Sequence, residues 1–149
     1  MKLKVKVKRV RDSAKLPHSG SVIAAGYDLS AAIDEDIIIS PGCWASIPTG
    51  IAIEPESDAV VGFVLPRSGL GAKHGVVLRN SVGVIDADYR GEIIVTLVNT
   101  GEDSFFVVHP GDRIAQLVFL PVFAAEFVEA EELSETGRGA SGFGSTGVK

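Results

Sequence analysis

Over no helical length does this chain hold a 3.6-residue apolar period. Short β-rich runs stand in its place: "DIIIS", "WASIP", "IAIEP", "VVGFVLP", "VVLRN", "EIIVTLVN", "FFVVHP", "RIAQLVFLP" and "AEFVEA". Pro and Gly punctuate them, and many short strands at regular spacing predict an all-β sandwich, jelly roll or barrel. Two segments share one plan, "IIISPGCWASI" and "FFVVHPGDRIAQL": an apolar strand, a Pro-Gly turn, then a second strand. Proline presets the first central position of a type II turn, and glycine accepts the positive φ of the second. The best place for one short helix is "RSGLGAKHG". At the start, Leu3, Val5 and Val7 alternate with Lys2, Lys4, Lys6 and Lys8. That period of two predicts a strand with a solvated lysine face rather than a basic arm.

The chain has 149 residues, 46% of them hydrophobic, enough for one domain with a real core. No run is long and apolar enough to span a bilayer, and nothing at the start resembles a signal peptide. The single cysteine, Cys43, cannot form an intrachain disulfide, so a reducing, cytoplasmic setting is expected. The formal net charge of -5 argues against coating nucleic acid but leaves room for an anionic ligand held by a few placed arginines. An ordered β domain is expected over residues 1–128. Residues 129–149, acidic and then small and glycine-rich, read as a flexible arm.

Five stretches are poorly explained by strand building: "AGYDLSAA", "PRSGLG", "GVIDADYRGEI", "GDRIAQL" and the tail "RGASGFGSTG". Each has an ordinary reading taken alone. Asp28 caps a glycine turn locally. "PRSGL" ends a strand. "GVIDADYRGEI" is a hairpin joining Val82 and Val84 to Ile93 and Val95. Gln116 faces solvent, and Arg113 pairs with Asp112 or another nearby carboxylate. Other chemistries fall away. His18, His74 and His109 show no metal-ligand spacing, CxxC and GxSxG are absent, and GxGxxG occurs only in the glycine-rich tail, which follows no strand–helix unit and so is no Rossmann or P-loop element. What remains is arginine, serine, aspartate and glycine-rich backbone, the inventory of phosphate chemistry with a borrowed metal.

In this order and at these separations the five stretches resemble the five motifs of the deoxyuridine triphosphate nucleotidohydrolases (dUTPases). "GVIDADYRGEI" together with "GFGSTG" is the most specific part. The family tail usually reads Arg-Gly-x-Gly-Gly-Phe-Gly; here Ser141 stands at the first of the paired glycines. The resemblance implies a homotrimer of jelly-roll-like subunits with shared active sites. It implies cleavage of dUTP to dUMP and pyrophosphate, which limits uracil in DNA and supplies dUMP for thymidylate synthesis.

Carried over residue by residue, the resemblance makes Asp86 the acid that activates water and meets the 3′-hydroxyl. Tyr89 becomes the ring under the deoxyribose, which excludes a ribose 2′-hydroxyl. The backbone of Gly83, Val84 and Ile85, with Asn80, would read the uracil edge. Arg67, Ser68, Gly69 and Gln116 would meet the triphosphate. Mg2+ would be chelated mainly by the phosphates, with Asp28 touching it only through water. The tail would act as a lid: Phe143 on uracil, Arg138 on the γ-phosphate, and Gly144, Ser145 and Thr146 around the phosphates. Two alternatives share this fold. A dCTP deaminase is expected to carry a glutamate in the strand after the hairpin, but "IIVTLVN" has no acid after Glu92. A non-catalytic, nucleotide-responsive regulatory partner needs no water-activating acid, yet Asp86 is present.

Overall fold

The computed structural model describes residues 2–140. In chain order the elements are β1 (Val5–Arg9), β2 (His18–Ser19), β3 (Tyr27–Ser30), β4 (Ile37–Ile39), β5 (Trp44–Pro48), β6 (Ile51–Pro55), β7 (Val60–Leu65), α1 (Ser68–His74), β8 (Val76–Leu78), β9 (Gly83–Ile85), β10 (Ile94–Asn99), β11 (Phe106–Val108) and β12 (Arg113–Pro121). They form a jelly-roll-like β fold with one short helix, as expected. The helix fills the expected "RSGLGAKHG" stretch. Gly75 closes it with φ 65°, a left-handed position that glycine takes without a steric penalty. No described helix is long and apolar enough to cross a membrane.

The two Pro-Gly units turn corners rather than make hairpins. Gly42 and Gly111 hold φ of 70° and 79°, and each turn closes with a backbone bond, Cys43 to Ser40 and Asp112 to His109. The strands before the turns, β4 and β11, pair with each other antiparallel. The strands after them part company: β5 joins β10, and β12 enters a five-stranded sheet ordered β2-β3-β12-β7-β9. Such departures carry a jelly roll from one layer to the other. Asn99, 1% exposed, pins one crossing by donating to the Ile39 and Ser104 carbonyls and accepting from the Gly101 amide. An unpaired amide at that depth would be costly; a fully satisfied one fixes the path.

Leu29, Ile39, Ile47, Ile51, Ile93, Leu97, Ile114 and Leu117 form the centre of the core, drawn from six strands and the segment before β10. Each such side chain contributes about 1.5–3 kcal/mol by burial. The lysine strand also forms as expected: β1 runs antiparallel to β6, with Val5 half-buried and the rest exposed.

Two expectations fail. β9 and β10 do not pair, so "GVIDADYRGEI" is no two-stranded hairpin: β9 pairs with β7, and β10 with β5 and β8. β9 extends the ladder of six residue pairs between β12 and β7 on the far side of β7, while Ile93 and Val95 are drawn to the core. "AEFVEA" forms no strand. After Val122 donates to Ala59, the chain leaves the body, and Phe123 and Phe127 are almost fully exposed. A strand needs a ladder partner, and within one copy this segment has none among the described residues.

Candidate active site

Two groups of the residues singled out above assemble, one alongside β7 on β9 and the other past the C-terminal end of β7. The first is a pocket of about 270 Å³ lined by Asn80, Gly83, Val84, Ile85, Asp86, Tyr89, Glu92, Ile93 and Ile94. Among the described residues β9 is the edge of its sheet, paired only with β7. An edge strand keeps a row of backbone donors and acceptors outside the ladder. Here that row borders a cavity, which suits it to reading the edge of a planar, polar ring. The strand is entered through a tight turn in which Ser81 sits at φ 62° and Val82 donates to Asn80. A non-glycine residue held there stores about 1–3 kcal/mol.

Asp86, at the end of β9, is exposed, and its carbonyl accepts from the Tyr89 amide in the following turn. The Tyr89 hydroxyl donates to the Glu92 carbonyl at 3.1 Å. The ring folds back over Gly91 so closely that a Cβ there would overlap it, at 2.3 Å from the hydroxyl and 2.9 Å from the ring edge. Only glycine admits this placement. Asp88 lines an adjoining depression, with Asp86, Val60 and Val122.

The second group lies past the C-terminal end of β7. Arg67, half-buried, donates through Nε to Asp28 Oδ1 at 3.0 Å and through Nη1 to the Arg113 carbonyl at 3.1 Å. Arg113 Nη1 donates to Asp28 Oδ2 at 3.0 Å. One carboxylate thus holds two guanidinium groups. Gln116, on β12 opposite Asp28 on β3, donates to the Pro66 carbonyl at 3.0 Å. A Cβ on Gly26 would fall 2.5 Å from Gln116 Oε1, so the loop passes that side chain at backbone distance. Ser68 and Gly69, both exposed, open α1, where the first amides have no partner within the helix.

These contacts replace two of the ordinary readings and identify the carboxylate of the third. Asp28 is no local cap; its partners are 39 and 85 residues away. Gln116 is half-buried and bonded. Arg113 pairs with Asp28, while Asp112 accepts from the His109 amide. The sequence reading also missed Arg11. Its guanidinium grips Glu92 at 2.7 and 3.0 Å, and no spacing rule joins residues 81 apart. The hydrogen bonds from Arg11 hold the Glu92 carboxyl below its ordinary range, against a smaller effect of burial.

Of the tail, Arg138 is described and exposed; Phe143, Gly144, Ser145 and Thr146 lie outside the described residues.

The dUTPase family model matches residues 12–147. The chain belongs to the dUTPase family. It is 56% identical over 148 residues to the deoxyuridine 5′-triphosphate nucleotidohydrolase of Desulfitobacterium hafniense, covering 98% of this chain and 97% of that one. Its fold is similar to that of a mutant dUTPase of Staphylococcus bacteriophage 80alpha solved with dUpNHpp. There the TM-score is 0.87 and the identity 29%, over 97% of this chain and 99% of the other. It is also similar to a mutant dUTPase of phage phi11 of S. aureus that coordinates a structural Mg(II) ion. In that case the TM-score is 0.76 and the identity 25%, over 87% and 97% of the two chains.

Proposed function

We propose that the chain hydrolyses dUTP to dUMP and pyrophosphate by attack of water on the α-phosphorus. One observation carries the reading: Asp86 and Tyr89 share a single pocket with the free backbone edge of β9. Uracil offers acceptor, donor and acceptor along one edge, which backbone groups can match. Close backbone approach leaves no space for a 5-methyl group. Tyr89 lies against the deoxyribose and rejects a 2′-hydroxyl by contact. Asp86 accepts a proton from water as its oxygen bonds to phosphorus, and the bond from phosphorus to the bridging oxygen breaks. Pyrophosphate leaves with that oxygen.

Arg67, Ser68, the Gly69 amide and Gln116 receive the triphosphate. Fixed donors stabilise charge that develops on the phosphoryl oxygens. Among the described residues no group of three or more His, Cys, Asp or Glu is placed to hold a metal; Mg2+ would be chelated mainly by the phosphates of the substrate. Asp28 has both oxygens engaged by guanidinium groups and keeps a second lone pair on each for water. Mg2+, when bound, neutralises phosphate charge.

The two groups must meet on one substrate. By the β7–β9 register Asp86 lies near Val61, and Arg67 follows six residues on in extended backbone. At about 3.3 Å per residue the two are about 20 Å apart within one copy. That separation supports a site shared between copies, in a homotrimer. The division into a body of residues 1–128 and an arm of 129–149 fits the same scheme, with Arg138, Phe143, Gly144, Ser145 and Thr146 closing over bound nucleotide. Pyrophosphate release from dUTP, dTTP, dCTP and UTP, each with Mg2+, tests the reading. Fast release from dUTP alone is expected, and equal release from UTP would remove the role of Tyr89.

A further inference from the structure

The pocket wall opposite β9 is formed by Glu92, Ile93 and Ile94, and it is fastened from outside the motifs. Glu92 Oε1 accepts from Arg11 Nε at 2.7 Å and from the Gly50 amide at 2.8 Å. Glu92 Oε2 accepts from Arg11 Nη2 at 3.0 Å. Next to it the Ile93 amide donates to Ile51, and the Ile93 carbonyl accepts from the Thr49 hydroxyl at 2.7 Å. The Glu92 carbonyl, in turn, receives the Tyr89 hydroxyl. One residue therefore ties its side chain to Arg11 and its main chain to the ring that faces the sugar.

We propose that Arg11 is a positioning residue for substrate selection: its two-pronged grip on Glu92 fixes where the Tyr89 ring stands. This rests on the reading of the pocket as the base-and-sugar site. Arg11 comes from the segment after β1, where Val10 donates to Gly50 and so places the guanidinium beside the Thr49–Ile51 turn. Its side chain is about half exposed, and an exposed ion pair adds little to global stability. Placement is another matter. A shift of about 1 Å in a group that selects substrate changes rates up to about 100-fold. A planar guanidinium with two parallel bonds fixes direction as well as distance, which a lysine ammonium does not.

The test compares wild type, Arg11→Gln, Arg11→Lys, Glu92→Gln and the Arg11→Gln/Glu92→Gln double variant as intact oligomers. In Arg11→Gln the KM for dUTP should rise about fivefold, by more than kcat falls, and the preference for dUTP over UTP should drop about fivefold. Arg11→Lys should recover part of that preference. The double variant should be no worse than Glu92→Gln, because both single changes break the same tie. Hydrogen–deuterium exchange without nucleotide should show faster exchange in residues 87–93 of Arg11→Gln. Unchanged KM and preference in both Arg11→Gln and Glu92→Gln, even with a lower melting temperature, would overturn the proposal. If Arg11→Gln does not fold, Glu92→Gln decides, since it keeps the side chain's shape and the Gly50 bond. If wild type shows no preference for dUTP, the pocket reading has failed instead, and unchanged exchange in residues 87–93 of Glu92→Gln or Arg11→Gln then overturns the tie itself.

Discussion

The pocket along β9 and the charged cluster past Leu65 are built from different materials. Along β9 the surface is mostly backbone: a strand edge outside the ladder, a strained turn at Ser81, and one ring pressed onto a glycine. Around Arg67 the surface is charge, held in place by Asp28, which draws Arg67 and Arg113 together. A polyanion arriving there has to share those guanidinium groups with a carboxylate. On the proposed reading, selectivity rests on steric fit and catalysis on placed charge, and about 20 Å separates Asp86 from Arg67 within one copy.

The largest expected effects test that separation. Asp86→Asn keeps shape but removes the base, and turnover should fall by about 100-fold or more. Arg67→Ala should also be nearly inactive. Co-refolding equal amounts of the two dead variants should restore about one quarter of wild-type turnover if each site takes Asp86 from one copy and Arg67 from the next in a cyclic trimer. A dead mixture, with mixed oligomers confirmed by mass, would place both groups in one copy and break the comparison.

Tyr89→Ala acts on the pocket only. The preference for dUTP over UTP should fall by about 10- to 100-fold in kcat/KM, while pyrophosphate inhibition stays as in wild type. Gly26→Ala is its counterpart at the charged cluster. The added carbon would force Gln116 to move. The KM for dUTP should rise about tenfold, with the dUTP to UTP ratio unchanged. A changed ratio would mean that the two regions are coupled.

The smallest effect concerns the corner that carries β12. Asp36, by hydrogen bond and then by charge, raises the pKa of His109. The pair therefore stabilises below the ordinary histidine range and loses its effect as pH rises through the raised value. His109→Gln should lower the melting temperature by about 1–3 °C at pH 6 and by less at pH 8.5. Glu92 behaves oppositely. Its pKa is depressed, so its contribution is present above the ordinary carboxylate range and fades as acid protonates it. Equal shifts at both pH values would exclude an ionic role for His109.

Legible in the sequence alone were the class of fold, the Pro-Gly turns, the place of the short helix and the five stretches singled out as candidates. These follow from local rules: a period of two, a preset proline φ, a glycine at positive φ, and the residue types that phosphate chemistry requires. Only the tertiary structure decided the partners. β9 turned to β7 instead of β10 because its place in the ladder and the pull of Ile93 and Val95 into the core act over distance. Asp28 became the holder of two arginines, and Arg11 the anchor of Glu92, through contacts between residues far apart in the chain. Strand pairing and ion pairing depend on which segments the core brings together, and no local spacing encodes that.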